Sequence, residues 1–597
     1  MTQSINRRTL LYSASAVAST AAFASFFPAW AQPVSKGIVR PLPTLSGQDI
    51  HLKIAHQMMM IDGVESHGIG INGTVPAPLL RLKEGQKVRL HVENNLDEDS
   101  SIHWHGLILP FHMDGVPGLS FPGIKPRSTF IYEFPLIQSG TYWYHSHSGL
   151  QEQLGHYGPI VIDPAGQDPI KSDREHVIVL SDHSQLHPHI IAQKLKQQGG
   201  YFNRQKQTLA SLLAGKDQSL SERFEWSAMR MDPTDISDVT GSTYSYLVNG
   251  YGPRDNWTAL FTPGEKVRLR IINASAMTTF NFRIPGLRLS VVQADGLSVR
   301  PVAVDEIQIA VAETYDVIVE PKENVAYTMV GETVDRSGMA RATLAPREGM
   351  LAAVPTLRPR PLADMKDMGM GSMGGSGNES SCPPKHAAMG HCKPEAGSVH
   401  AGMNHGSSGG MNHSMRDMSV APQVKDTPTV QTISPMPVDR MGEPGQGLHD
   451  VGHKVLVYRD LVAVEKNPDV RAPSRTLRIH LTGNMERYMW AFDGVKLNEV
   501  KKPIPFIEGE RVRVTLVNDT MMGHPIHLHG HFFELVTGHG EYAPRKHTIQ
   551  VQPGGTATFD LTADAVGDWA FHCHLLYHMH AGMMQVVTVR PREGGAS

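Results

Sequence analysis

Cysteine is scarce in this sequence, with three residues among 597. Disulfides therefore do not hold a chain of this length together. Beyond residues 1–31 there is no long apolar run of the kind that spans a bilayer, so we expect no stable membrane insertion. The formal net charge is −3 and no long basic run is present, which disfavours nucleic acid as a partner. The chain is long enough for several hydrophobic cores, and a monomer is the favoured oligomeric state.

Soft metal ligands are concentrated near the C-terminus. The segment from His572 to Met583 contains a cysteine, several imidazoles and a thioether. A Cys thiolate with two His and a weak axial Met is the ligand set of a blue-copper electron-transfer site. A simple electron carrier does not need the two His that flank Cys573, so they indicate a second metal site joined to the first through the backbone. A one-electron site coupled to several metals predicts an oxidase.

The alternation of side chains along a strand divides these ligands between two sites. Cys573 points away from its two His neighbours, and His524 points away from the pair His527 and His529. We therefore expect Cys573 and His524 to share one copper site. The following turn completes that site with His578 and Met583.

Two further motifs supply imidazole pairs, His103-Trp104-His105 and His145-Ser146-His147. Imidazole suits copper, zinc, iron and nickel alike, and the adjoining Cys–Met site is what selects copper. We expect His531 and His580, which extend the C-terminal motifs, to lie at the surface. The imidazoles left for a second, three-metal site are His103, His105, His145, His147, His527, His529, His572 and His574.

An internal repeat explains this layout. Residues 84–95, 263–274 and 508–519 each consist of a Gly-containing turn followed by alternating apolar and polar residues, a pattern typical of a half-buried strand. Three copies of one domain are predicted. Many short β-rich runs separated by Gly and Pro favour β-sandwich domains, and residues 190–225 are predicted to form a helical insertion.

The repeated domains differ in their ligands. Residues 140–147 align with 567–574, so that Ser146 stands where Cys573 does and Gln151 where His578 does. The first copy thus keeps the flanking His pair and lacks the blue-copper ligands. The middle copy has neither and is predicted to be a structural spacer. Ligands from the first and last copies must then meet across a domain interface, a common place for a site.

These motifs and the threefold repeat resemble the multicopper oxidases, a family built from cupredoxin domains. The resemblance implies an all-β fold of three cupredoxin-like Greek-key β-sandwich domains, at residues 45–165, 166–349 and 451–597. It implies four copper ions, and a trinuclear cluster that reduces O2 to water with electrons received from type 1 copper. The implied type 1 ligands are His524, Cys573, His578 and Met583. The implied type 2 ligands are His103 and His527, and the type 3 ligands are His105, His145, His147, His529, His572 and His574.

The N-terminal segment indicates the compartment. Arg7 and Arg8 precede an apolar, Ala- and Ser-rich stretch that ends at Ala29-Trp30-Ala31. Residues 1–31 are therefore predicted to be a signal peptide, and the paired Arg favours twin-arginine export to the periplasm. A general secretory signal and a membrane anchor are the alternatives.

Residues 350–450 are predicted to be a Met/His-rich linker before the third domain. Its core, residues 364–418, combines many Met and His with Cys382 and Cys392 in a Gly/Ser/Asn background that favours disorder. Thioethers and thiolates select Cu(I), so our hypothesis is that this tract gathers additional Cu(I) near type 1. A linker without a chemical role is the alternative, and the two Cys can form a local disulfide instead.

The signal, the tract and the three-domain layout resemble the periplasmic copper-resistance oxidases. This implies oxidation of Cu(I) to Cu(II) with O2 as acceptor. A laccase-like oxidase of phenolic small molecules and a copper-sequestering protein with little turnover are the alternatives. Met579 stands where some family members place a Glu next to a type 1 His, so Asp114 becomes the candidate proton relay to the cluster. The other reading of Asp114 is a turn residue before Gly.

Overall fold

The computed structural model describes residues 36–370 and 415–592. The predicted signal peptide, Cys382, Cys392 and most of the Met/His-rich tract lie outside the described residues. Within them, no helix combines the length and apolar character needed to cross a membrane. The described chain divides into two compact units. The first ends at Pro188 and resumes at Thr243–Pro359 and His453–Leu456, and the second comprises His189–Ser242, Arg360–Gly452 and the chain from Val457 onward.

The first unit contains two β-sandwich domains. The strands of its first domain are β1 Thr44–Leu45, β2 Asp49–Ile61, β3 Val64–Ile71, β4 Leu79–Lys83, β5 Lys87–Asn94, β6 His103–His105, β7 Thr129–Pro135, β8 Gly140–His145 and β9 Tyr157–Asp163. They form sheets of order β3-β2-β5-β7 and β1-β4-β9-β8-β6.

The second domain follows the same plan. Its strands are β10 Arg174–Ser184, β11 Tyr244–Val248, β12 Thr258–Leu260, β13 Val267–Asn273, β14 Phe280–Arg283, β15 Leu289–Ala294, β16 Leu297–Val304, β17 Glu306–Ile309, β18 Thr314–Val319, β19 Tyr327–Thr333 and β20 Met339–Ala345. The two sheets run β11-β10-β13-β18-β15-β16 and β12-β20-β19-β14-β17.

The second unit contains the third sandwich. Its strands are β21 Val438–Asp439, β22 Arg475–Asn484, β23 Met489–Phe492, β24 Ile504–Ile507, β25 Arg511–Asn518, β26 His524–Leu528, β27 Phe533–Leu535, β28 Arg545–Lys546, β29 Thr548–Val551, β30 Gly555–Thr562, β31 Gly567–Cys573 and β32 Met584–Arg590. One sheet runs β23-β22-β25-β30-β27-β28, with β21 on β30, and the other runs β24-β32-β31-β26-β29. The prediction of three β-sandwich domains is confirmed.

The sequence repeat corresponds to one structural position. Its three segments become β5, β13 and β25. Each lies parallel to the first strand of an antiparallel pair that precedes it in the chain, giving the parallel pairs β2–β5, β10–β13 and β22–β25. Each ends in a fully buried Asn: Asn94, Asn273 or Asn518. In the third domain the Asn518 side-chain amide donates to the carbonyls of Met522 and Val551, at 2.7 and 3.0 Å. Asn518 therefore stabilises the loop before β26, the strand that begins with the predicted ligand His524.

The predicted helical insertion is also confirmed. It forms α1 Pro188–Gln197, α2 Leu209–Leu213 and α3 Leu220–Ala228. Ser219 and Glu222 form a capping box at the start of α3, which satisfies two backbone N–H groups that a helix start leaves open. A fourth helix, α4 Leu576–Ala581, follows β31.

The described ends of the Met/His-rich tract are packed rather than linker-like. Met368 is buried in a cluster with Trp226, Ala363 and Met521. On the C-terminal side, Ala421 is fully buried in a further small cluster. Apolar residues at both ends thus find a packed environment that the polar composition of the tract did not indicate.

Candidate metal centres

Three predicted ligands, His524, Cys573 and His578, come together in the second unit. With Met583, which follows the helix that carries His578, we call them the Cys573 centre. Strand β26 pairs with β31 so that Ile526 lies opposite Cys573, and α4 carries His578. Cys573 Sγ lies 3.6 Å from His524 Nδ1 and 3.9 Å from His578 Nδ1. The two Nδ1 atoms are 3.2 Å apart. Met583 is fully buried, and its backbone N–H donates to the His578 carbonyl at 3.0 Å.

Hydrogen bonds orient both imidazoles of this centre. His524 Nε2 lies 2.7 Å from Thr520 Oγ1, and His578 Nε2 lies 2.7 Å from Asp238 Oδ2. Donation from each Nε2–H fixes the tautomer that leaves Nδ1 as the lone-pair nitrogen beside the sulfur. Tyr488 also donates to Asp238, at 2.8 Å, and Trp490 stacks on the His578 ring.

The donor set fits one soft metal ion. Burial lowers the pKa of His578 well below its ordinary value, and burial together with His578 does the same for His524. Both rings are therefore neutral at pH 7 and can act as ligands. Donor atoms that bind one ion at about 2.0–2.3 Å lie roughly 3–4 Å from each other, as these three do. Two imidazoles, a thiol and a buried thioether match the copper set. Burial raises the pKa of the Cys573 thiol, so the cation itself must supply the energy that deprotonates it.

Four imidazoles of the first unit form a group that we call the first His tetrad: His103, His105, His145 and His147. Pairing of β6 with β8 puts His103 directly opposite His145, and their ring centroids are 5.5 Å apart. His103 Nδ1 lies 2.7 Å from the Asp114 carbonyl oxygen and 3.3 Å from its carboxylate. Asp114, the candidate relay, is thus buried against a tetrad member.

The second unit contains a second His tetrad: His527, His529, His572 and His574. His527 lies opposite His572 in the β26–β31 pair, and the Nε2 atoms of His529 and His572 face each other at 3.0 Å. His527 Nδ1 bonds to the His547 carbonyl at 2.7 Å, which reserves Nε2 for a metal. All four rings are buried. Cys573 projects to the opposite face, as strand alternation predicts.

Sequence reasoning missed three residues around these groups. Asp238 holds His578, Glu152 Oε2 lies 2.7 Å from His145 Nδ1, and the His547 ring lies 5.4 Å from that of His527. Glu152 follows Gln151, the position aligned with His578, and that alignment could have drawn attention to it. Burial, reinforced by the Asp182 charge, raises the pKa of Glu152 well above its usual range.

Of the two additional His residues, His580 is exposed as predicted. The prediction for His531 is wrong. It is 2 % exposed, and its Nδ1 bonds to the His529 carbonyl at 3.0 Å. The strand continues into a buried turn there, so His531 supports the backbone of a tetrad member.

A cavity of about 600 Å³ lies within the second unit. Its lining includes Met231, Met485, Met521 and Asp235. Three of these lie three positions before a member of the Cys573 centre or a residue that supports it. Met521 precedes His524, Asp235 precedes Asp238, which bonds to His578, and Met485 precedes Tyr488, which bonds to Asp238. Burial, with added repulsion from Asp238 and Asp232, raises the pKa of Asp235 to about 8. The cavity thus offers thioethers and a carboxyl group close along the chain to the centre.

Comparison with known proteins agrees with this geometry. Three multicopper oxidase family models match residues 53–167, 175–349 and 471–593. The chain belongs to the multicopper oxidase family. It is thus an oxidoreductase of a copper-dependent family that uses O2.

Among similar chains, the copper resistance protein A homolog of Pseudomonas syringae pv. tomato is 48 % identical, covering 94 % of this chain and 95 % of that protein. Copper resistance protein A of Escherichia coli is 47 % identical, with coverage of 92 and 93 %. A laccase structure from Botrytis aclada has a TM-score of 0.59 at 20 % identity, covering 92 % of this chain and 88 % of that chain. The structural likeness confirms three cupredoxin-like domains.

Proposed function

We propose that this protein is a copper-tolerance enzyme that oxidises Cu(I) to Cu(II) and passes the electrons to O2. Four Cu(I) ions release one electron each, and O2 takes four electrons and four protons to give two waters. The observation that carries the choice of Cu(I) is the cavity of Met231, Met485, Met521 and Asp235. Thioethers select Cu(I), and the Asp235 carboxyl adds charge attraction for a cation when it is ionised. Relatives named for copper resistance support the same role.

The Cys573 centre would hold the type 1 copper, with Met583 as the fourth ligand. Bound copper would supply a reversible one-electron couple at that point. The chain provides the surroundings: Thr520 and Asp238 hold the two imidazoles in the ligating tautomer. Asp238 also connects His578 to the segment that lines the cavity, since Asp235 lies only three residues earlier in the sequence.

The two His tetrads would together hold the three remaining coppers. Type 2 copper would take His103 and His527, and the other six imidazoles would take the type 3 pair. Cys573 is covalently continuous with His572 and His574, which gives electrons a short through-bond route from the sulfur. Asp114 would deliver protons, because its carboxylate lies 3.3 Å from His103 Nδ1.

The substrate assignment is tested with paired kinetics. In Met231→Leu/Met485→Leu the cavity keeps its volume and loses two thioethers. We expect kcat/KM for Cu(I) to fall at least about tenfold, as for loss of a supporting metal contact, with phenol oxidation unchanged. Met436→Leu is the control, because Met436 is an exposed methionine outside the cavity lining. Equal losses for Cu(I) and phenol would favour a general laccase-like oxidase instead.

The proposed location is the periplasm, reached by the twin-arginine route. The support is the Arg7-Arg8 pair ahead of the apolar stretch. Replacing both Arg by Lys should retain the protein in the cytoplasmic fraction, and unchanged export would remove the assignment.

Additional Cu(I) bound by the Met/His-rich tract is part of the same proposal.

A further inference from the structure

Two methionines are exposed on the β2–β3 hairpin of the first unit. Met58 is 45 % exposed and Met60 is 58 % exposed. Methionine ordinarily fills gaps in hydrophobic cores, and two exposed thioethers on one strand call for a physical reason.

Polar donors share the face on which these methionines lie. In the antiparallel register of β2 and β3, Met58 lies opposite His67 and Met60 opposite Glu65. Directly opposed residues project from the same face with Cβ atoms roughly 4.5–5.5 Å apart. His56, two positions before Met58, shares that face as well. The five side chains are all exposed, and we call them the hairpin face: His56, Met58, Met60, Glu65 and His67.

The hairpin is held in place from its other side. Met59 and Ile61 are buried there in a cluster with Leu247 of the second domain. At the tip, Asp62 Oδ1 accepts hydrogen bonds from the backbone N–H groups of Arg254 and Asp255, at 2.7 and 3.0 Å. The hairpin face is therefore presented on a fixed backbone, which lowers the ordering cost of binding.

We propose that the hairpin face is a surface binding site for Cu(I). Met58, Met60 and His67 are its ligands, and Glu65 adds negative charge beside them. Thioether and imidazole donors in this combination select Cu(I) over the hard cations that carboxylates and carbonyls prefer. The site shares no residue with the Cys573 centre, the His tetrads or the Met231 cavity. It does not rest on the proposed function, because binding here needs no turnover.

Methyl NMR tests the site in the full-length holoenzyme. The protein carries carbon-13 at its methionine methyl groups, is reduced under argon, and is titrated with Cu(I) from a bicinchoninate buffer. Met58→Leu and Met60→Leu assign the two signals and remove the donors at nearly constant volume. Met59, on the buried face of the same strand, is the internal control. Met436, which is 50 % exposed, is the control for an ordinary surface thioether.

We expect the Met58 and Met60 signals to shift together and to saturate with one Cu(I), while the Met59 and Met436 signals stay unchanged. His67→Gln should raise the free Cu(I) at half-saturation at least about tenfold. Two results would overturn the proposal. One is that Met58 and Met60 stay unmoved while other methionines titrate, as expected of a face that only docks another protein. The other is that the Met58 and Met60 signals shift no more than the Met436 signal, and that their response to Cu(I) is the same in His67→Gln as in the wild type.

Discussion

At the residue scale, hydrogen bonds to the far nitrogen of each imidazole prepare the Cys573 centre. Thr520 is hydrogen-bonded to Nε2 of His524, and Asp238 to Nε2 of His578. The Nδ1 atom of each ring therefore faces the Cys573 sulfur. Burial keeps both rings neutral. The proposed ligand set is therefore preorganised by two residues, Thr520 and Asp238, that are not among the proposed ligands.

The proposed role of Met583 as a ligand gives a first prediction. Met583→Leu keeps the buried volume and removes a weak fourth donor. Losing a donor destabilises the more highly charged Cu(II) more than Cu(I), even though a thioether suits Cu(I) better than harder donors do. We expect the type 1 potential to rise by at least about 59 mV, a tenfold change in a one-electron equilibrium. A redox titration followed by the visible band measures it. An unchanged potential would point to another axial group.

The raised pKa of Asp235 predicts that kcat/KM for Cu(I) depends on pH. Its pKa is raised to about 8, so the carboxyl is mostly neutral at pH 7 and ionises as the pH rises. Because the carboxylate attracts the cation, kcat/KM for Cu(I) should increase with pH and level off above about 8. Below that value the ionised fraction changes about tenfold per pH unit.

The control for this prediction is Asp235→Asn, which removes the charge and keeps the shape. The ratio of wild-type to variant kcat/KM should grow from pH 6 to 8. A ratio that stays constant over that range would remove Asp235 from substrate binding.

At the element scale, strand alternation explains how much of the centre the sequence could predict. The grouping of Cys573 with His524, opposite the second His tetrad, follows from the two-residue period of β26 and β31 alone. Asp238 could not be found this way. It is 340 residues from His578 and reaches it from the insertion that carries α1–α3. Local patterns carry no information on such a long-range contact.

Helix α4 and the turn after it position two proposed ligands, His578 and Met583. Gly582 ends α4 with a φ of 128°, and a Cβ there would lie 2.8 Å from the Trp490 carbonyl oxygen. Gly582→Ala should therefore displace His578 and Met583, in addition to about 1–3 kcal/mol of backbone strain. We expect the visible type 1 band to shift or disappear.

The matched control is Gly538→Ala. Gly538 has a φ of 94° with no heavy atom near its Cβ position, so it should cost backbone strain alone and leave the band unchanged. Thermal unfolding and the visible spectrum of both variants separate the two effects. An unaltered band in Gly582→Ala would show that the turn does not position the ligands.

At the scale of the whole molecule, the Met/His-rich tract has packed ends. Met368, Met370 and Met415 belong to the cluster around Trp226 and Met521. Composition alone predicted that residues 364–418 form a linker. Composition does not reveal that distant residues such as Trp226 and Met521 provide a surface on which the methionines at the ends of this tract can pack. Any deletion that tests the tract must spare these ends.

Removal of residues 371–414 is that deletion. A tethered donor raises the local Cu(I) concentration, so at limiting Cu(I) the oxidation rate should fall at least about tenfold. Oxidation of an organic dye should be unaffected. Kinetics with both substrates, with unfolding temperature as the control for the fold, decide the matter. Equal losses, or no loss with either substrate, would contradict a role in copper delivery.

In the proposed mechanism a single thiolate, that of Cys573, joins substrate oxidation to O2 reduction. The most direct measurement is oxygen uptake driven by Cu(I) in Cys573→Ser after reconstitution with copper. We predict that enzyme-dependent uptake disappears and that bound copper falls by one ion per chain. Uptake at the wild-type rate would contradict the account.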